Sequence, residues 1–252
     1  MQHGNAGSSK TAPLLGVPLS KGNGLDTFGP NAPFLPKRLF EQQDIISRLL
    51  NPFSGLQCRA LSQTDFLEKS TPLILGGGNP ASAFARSAVA PVFSELFCKL
   101  VEKRSIREPD ILRLHTVLAP GAQSGLREVN VRCGGFDTST AIYVPPPPKN
   151  IPGLTKDIAL FAAQRFEFDR GLIQSIVLAI QILIVHPFHD GNGRVSRALF
   201  ALCACRSRGY DMNAVDLLNR IYSGDGLLAF GLSFILTSGG GWQVDTLSKF
   251  FK

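Results

Sequence analysis

HPFHDGNGRVSR, residues 186–197, follows fifteen residues that carry no charge, GLIQSIVLAIQILIV at 171–185. His186, His189, Asp190, Arg194 and Arg197 are thus gathered at the end of the most apolar segment of the chain. Pro187 stops the apolar helix near Val185, because a proline inside a helix removes an N–H donor and clashes with the preceding turn. Gly191 and Gly193 make a tight loop whose backbone N–H groups can face one point. A second helix, 194–208, starts there, so the positive end of its dipole is aimed at the same point. Arg194 and Arg197, three apart, share a face of that helix. Such a cluster needs a counter-charge: a metal, a phosphate chain, or an acidic residue from elsewhere in the fold. The convergent N–H groups and arginines favour an anion with several phosphates. Asp190 would be repelled by phosphates alone and makes sense as the holder of a Mg²⁺ that bridges them. His186 stands beside this point and titrates near neutrality, which suits a general base.

Simpler readings exist for each part. A single histidine at a helix end is commonly a cap, and Gly-Asn-Gly is a common turn. His186 and His189 offer no third ligand at a spacing typical of a transition-metal site. The joint pattern is what separates this loop from an ordinary turn: five charged or titratable groups around two glycines.

The 171–185 helix is apolar all round and therefore belongs at the centre of a helical bundle. Helices are expected around it at 35–51, 91–105, 108–121, 154–169 and 194–208, with a C-terminal set between 213 and 236. The stretch LREVNVRCGGFDTSTAIYVPPPP, 126–148, alternates apolar and polar residues and turns at Gly134-Gly135, which predicts a β-hairpin. Pro145 to Pro148 end its second strand and should be extended polyproline structure. GGGNP, 76–80, reads as a flexible connection; it lacks the lysine of a phosphate-binding P-loop. Residues 1–36 are rich in Gly, Pro and Ser and read as a disordered arm.

The formal net charge is +7 over 252 residues, but it is dispersed, with no run of like charges and no basic helix face. This implies mild attraction to polyanions and argues against a nucleic-acid footprint, so no nucleic-acid partner is expected. Five cysteines without a C-x-x-C pair argue against a disulfide framework and against structural zinc. The expected state is reduced and mostly buried thiols. The start of the sequence lacks the basic-then-apolar pattern of a secretory leader, and segment 172–188 is interrupted by Gln174, Ser175 and Gln181, too short for a membrane span. A cytoplasmic protein without a membrane partner is expected, with non-classical export as an effector the other reading of the N-terminal arm.

His-Pro-Phe-x-Asp-Gly-Asn-Gly-Arg-x-x-Arg is the signature of Fic-domain proteins, and His186 to Arg197 match it at every fixed position. The resemblance covers roughly residues 90–236. It implies a mostly α fold, a Fic-type helical bundle with a β-hairpin flap beside the active-site loop. The chain then divides into the arm 1–36, a helical extension 37–89 and a Fic domain 90–252. Members of this family mostly transfer AMP from ATP to a hydroxyl of a target protein with the help of Mg²⁺. By this resemblance His186 deprotonates the hydroxyl, Phe188 anchors the loop, and Asp190 holds the metal. Gly191, Asn192, Gly193 and Arg194 form the anion hole, and Arg197 reaches the γ-phosphate or an inhibitory glutamate. The hairpin at 126–148 looks like the family's flap, with Arg127 at its start. Thr140, Ala141 and Ile142 would pair with an extended segment of the target. Tyr222 is similar in position to a tyrosine beside the adenine. Thr64 and Glu68 partly match an inhibitory helix motif, with Lys69 where Gly or Asn is expected; Glu68 as an ordinary surface carboxylate is the competing reading. The same resemblance also admits UTP or another nucleotide as donor, a non-catalytic interaction module, and a toxin restrained by a separate antitoxin.

Overall fold

The computed structural model describes residues 57–76, 82–103, 105–131, 145–164 and 168–222. These residues fold mostly as α-helices, as expected. In chain order they are α1 (Gln63–Leu75), α2 (Ser82–Glu102), α3 (Glu108–Leu118), a 3₁₀ turn (Pro148–Asn150), α4 (Ile151–Ala163), α5 (Phe168–Val185), α6 (Asn192–Arg208) and α7 (Met212–Tyr222).

α5 and α6, the two helices flanking the quoted loop, form the most extensive helix pair. α6 also packs against α1, α2, α3 and α7. The centre of the bundle is therefore shared with α6, whereas the apolar texture of 171–185 points to α5 alone. The reason is visible in α6 itself: eight consecutive residues, Ala198 to Cys205, are buried. Its alanines at 198, 201 and 204 are small enough to let several helices approach one axis. Burial of a full-sized apolar side chain stabilises by about 1.5–3 kcal/mol, and Leu199, Phe200, Leu202, Ile182 and Val185 are all buried here. Two buried polar side chains tie helix to helix. Ser196 donates from Oγ to the Ala179 carbonyl at 2.8 Å, tying α6 to α5. Gln174 donates to the carbonyls of Phe161 and Gln164, closing the end of α4.

Several helix limits differ from the sequence expectation. α2 begins at Ser82 and carries Pro91 inside it, and α1 carries Pro72 inside it. Local rules put Pro91 at the start of α2; packing on the bundle holds both helices through the missing N–H. α3 ends at Leu118, before Pro120. α4 starts at Ile151 with Pro152 in its first turn, where proline's fixed φ is already helical. α6 starts at Asn192, two residues early, because Gly191 takes the capping position. Helix 35–51, the arm 1–36 and the region after Tyr222 lie outside the described residues. So do residues 132–144, which hold most of the expected hairpin. Its described flanks, 126–131 and 145–147, are irregular. Pro147 has the extended geometry expected of it, φ −63° and ψ 151°, whereas Pro148, expected to be extended as well, begins the 3₁₀ turn.

One short extended segment precedes α1. Ala60 bridges Asp211 in antiparallel fashion, Leu61 N–H donates to the Tyr210 carbonyl, and Met212 N–H donates to the Arg59 carbonyl. The buried Asp211 carboxylate accepts from the N–H groups of Arg59 and Asn213 and from Arg208 Nε. This fastens the start of α1 to the α6–α7 turn. Cys58, Cys98, Cys203 and Cys205 are free thiols; Cys203 and Cys205 are buried, but Cys98 is half-buried and Cys58 exposed, so burial among the described cysteines is less general than expected. Among the described residues no helix is long and apolar enough to cross a membrane.

Candidate active-site loop

α5 ends where Pro187 requires it. His186 still donates its N–H to the Ile182 carbonyl, at 2.9 Å, as the last helical bond. Its φ is then +50°, and it is the one non-glycine residue at positive φ among those described. A non-glycine residue in this region is held there by its surroundings. The imidazole Nδ1 lies 3.3 Å from the Leu183 carbonyl. A carbonyl only accepts, so this contact places the proton on Nδ1 and the lone pair on Nε2. Burial holds the His186 pKa below the ordinary histidine value; the Leu183 contact opposes this, and the cationic Arg127 adds to it. Neutral His186 with its lone pair on Nε2 is the form a proton acceptor requires.

The loop after His186 is locked from both sides. Phe188 is completely buried. Its N–H donates to Asn192 Oδ1 at 3.0 Å, and its carbonyl accepts from Asn192 Nδ2 at 2.8 Å. The Asn192 side chain thus closes a ring across the turn, while its backbone N–H stays at the start of α6. On the other side the Phe188 ring stacks on His115, centroids 3.9 Å apart and 5° from parallel. His115 Nε2 is 3.0 Å from the Asp190 carbonyl. Burial depresses the His115 pKa, which the Asp190 carbonyl contact opposes. Gly191 has φ +84°, and a Cβ there would lie 2.7 Å from Ala119 Cβ and 3.3 Å from His115 Cδ2. Glycine is required twice over, for the left-handed backbone and for the approach of α3.

The charged groups divide their partners. Asp190 accepts from the Gly191 N–H through Oδ1 and from Arg194 Nη2, at 2.8 Å, through Oδ2. Part of the counter-charge sought in the sequence is therefore inside the loop. Arg194 also donates from Nη1 to the Leu118 carbonyl at the end of α3. Arg197 donates from Nε to the Ile74 carbonyl at 2.9 Å, and its guanidinium lies beside both Gly193 and Gly76. No side chain caps the α6 N-terminus. Its first N–H groups, from Asn192, Gly193 and Arg194, have no carbonyl one turn back to bond, which is the ordinary condition for anion binding at a helix start.

His186, Asp190, Gly191, Asn192, Gly193, Arg194 and Arg197 are brought together. Tyr222 is the last residue of α7. Thr140, Ala141 and Ile142 lie outside the described residues. Glu68 is exposed on α1 and borders an apolar groove between α1 and α2. The ion pairs among the described residues do not include one between Glu68 and Arg197; the acceptor that α1 offers Arg197 is the Ile74 carbonyl near its C-terminus. Nothing in the sequence singles out His115. One histidine on an otherwise apolar helix face carries no signal without the loop that covers it.

The donor set suits Mg²⁺ rather than a protein-built metal cage. Among the described residues no three His, Cys, Asp or Glu side chains cluster as ligands, whereas the Asp190 carboxylate is 74% exposed. Mg²⁺ is commonly held by one or two carboxylates with substrate phosphates and water completing the shell.

Residues 105–204 match the model of the Fic/DOC family. The match runs from the start of α3 to the later turns of α6 and contains the loop. Similar solved structures include a Fic family protein from Desulfovibrio desulfuricans G20, with 17% identity, 84% of this chain and 67% of that chain covered, and a TM-score of 0.47. Fic-1 from C. elegans is similar at 17% identity over 88% of this chain and 72% of that chain, with a TM-score of 0.45. No curated protein matches the chain.

Proposed function

We propose that this chain, whose residues 105–204 match the Fic/DOC family, transfers AMP from ATP to a hydroxyl side chain of a target protein. Fic proteins generally transfer nucleotide-derived groups to proteins, and the finer assignment rests on the loop. The observation that carries it is the pairing of a neutral histidine at φ +50° with a helix N-terminus that no side chain caps. The triphosphate binds against the N–H groups of Asn192, Gly193 and Arg194, with Arg194 and Arg197 beside it. Asp190 would hold Mg²⁺, which would supply positive charge to offset that on the leaving pyrophosphate. His186 Nε2 accepts the proton of the Ser, Thr or Tyr hydroxyl. The hydroxyl oxygen bonds to the α-phosphorus as the bond to the β-phosphate oxygen breaks, and pyrophosphate leaves. Thr140, Ala141 and Ile142 hold the target segment by strand pairing, and Tyr222 lies beside the adenine. The contribution of the chain is positioning and charge stabilisation, which is what phosphoryl chemistry most needs.

Donor competition tests the reading. In a cell lysate with Mg²⁺ and α-labelled ATP, unlabelled ATP should suppress protein labelling more strongly than GTP, CTP or UTP. Stronger suppression by UTP would keep the loop chemistry and remove AMP as the transferred group.

A further inference from the structure

We propose that Arg127 is the positioning residue of this site: it fixes the backbone on both sides of His186. The proposal rests on the reading of His186 as the base. Arg127 is 2% exposed. Its Nε donates to the His186 carbonyl at 2.6 Å. Nη2 donates to the Pro146 carbonyl at 2.5 Å and to the Val185 carbonyl at 3.3 Å. Nη1 donates to the Val129 carbonyl at 2.8 Å, and its backbone N–H donates to the Pro187 carbonyl at 2.9 Å.

Three consecutive carbonyls, Val185, His186 and Pro187, are thus held by one residue. They flank the peptide groups that set the φ +50° of His186 and so the direction of its ring. A strained backbone of this kind persists only where its neighbours over-determine it, and Arg127 is the neighbour that does so. The two remaining acceptors, Val129 and Pro146, lie on the described segments 126–131 and 145–147. The same side chain therefore ties both of these segments to the residues around His186. A buried cation is costly, and a turn can be held at less cost by neutral groups. The guanidinium is suited because its planar fork addresses several carbonyls in fixed directions; an ammonium on a flexible stem cannot reproduce that fan.

Two measurements test this. In the wild-type chain, NMR of arginine side chains should show an Arg127 Nε–H that exchanges far more slowly than those of surface arginines; exchange as fast as theirs overturns the proposal. In Arg127→Lys, kcat for transfer should fall roughly 10²-fold, the scale of a misplaced reacting group, while the KM for ATP stays within about twofold. Amide exchange should quicken together at 128–131, 145–147 and 185–188. A variant with wild-type kcat, or a loss carried wholly by the KM for ATP, contradicts it. If Arg127→Lys does not fold, the wild-type Nε–H measurement decides alone. If the wild-type chain transfers nothing from any nucleotide, the proposed activity fails, and the exchange data still judge Arg127.

Discussion

His186 is set apart by three local facts: a positive φ, a carbonyl partner for Nδ1, and burial that disfavours its charged form. The pH dependence of transfer follows. In the proposed reaction the active form is neutral, so the rate should fall on the acid side, with a midpoint below the ordinary histidine value of 6.5. A pH–rate profile with its acid midpoint at or above that value would remove burial from the account. The turn at this residue is legible in the sequence because the proline after it and the glycines beyond it force the chain to turn there. The supports are less legible. Phe188 as an anchor comes with the family resemblance, but the face against which it stacks, His115, lies 73 positions earlier in sequence. Arg127 can be seen as the start of a flap, not as a buried hub, since burial of an arginine depends on carbonyls that only tertiary structure brings together.

At the level of elements, the glycine that ends the loop and caps α6 joins two helices. Gly191→Ala must strain a left-handed backbone and push α3 away by the Ala119 contact. The conformational part alone costs about 1–2 kcal/mol, and the clash adds to it. The melting temperature should therefore drop by roughly 3 °C or more, and transfer should be lost with it, because Asp190 and the α6 N–H groups move. A variant with unchanged melting and rate would show that the loop tolerates another geometry. Helix existence is readable from periodicity for α2 through α6, since each pairs an apolar stripe with a stop signal. Helix limits are not readable where Pro72 and Pro91 sit inside α1 and α2: local rules stop a helix at proline, and packing against α6 overrides them. The β-hairpin expected over 126–148 falls mainly on residues outside those described, and its described flanks are irregular. They converge on Arg127.

For the whole molecule, two histidines set into the bundle make it acid-sensitive. His115 and His186 both have pKa values held below the ordinary 6.5 by burial. The unfolded chain then binds protons at a higher pH than the folded one. Stability is full above about 6.5 and is lost as pH falls toward the folded values. Asp211 acts in a lower window. Burial pushes its pKa up, but bonds from the Asn213 N–H, Arg208 and the Arg59 N–H prevail and hold it below 3.8. Its contribution is lost only as pH falls through that lowered value. The melting temperature should fall between pH 7 and pH 5, and the fall should be shallower in His186→Ala; an unchanged slope would take His186 out of the linkage. The α6 N-terminus is the feature on which the proposed nucleotide binding rests. The most direct test therefore follows the phosphorus. ATP labelled at the α-phosphate or, separately, at the γ-phosphate is incubated with Mg²⁺, a cell lysate and either wild-type or His186→Ala protein. Label should reach protein from the α-position only, and His186→Ala should lower the rate by about 10²–10⁴ while remaining folded. Label arriving from the γ-position, or equal transfer by His186→Ala, would contradict the account.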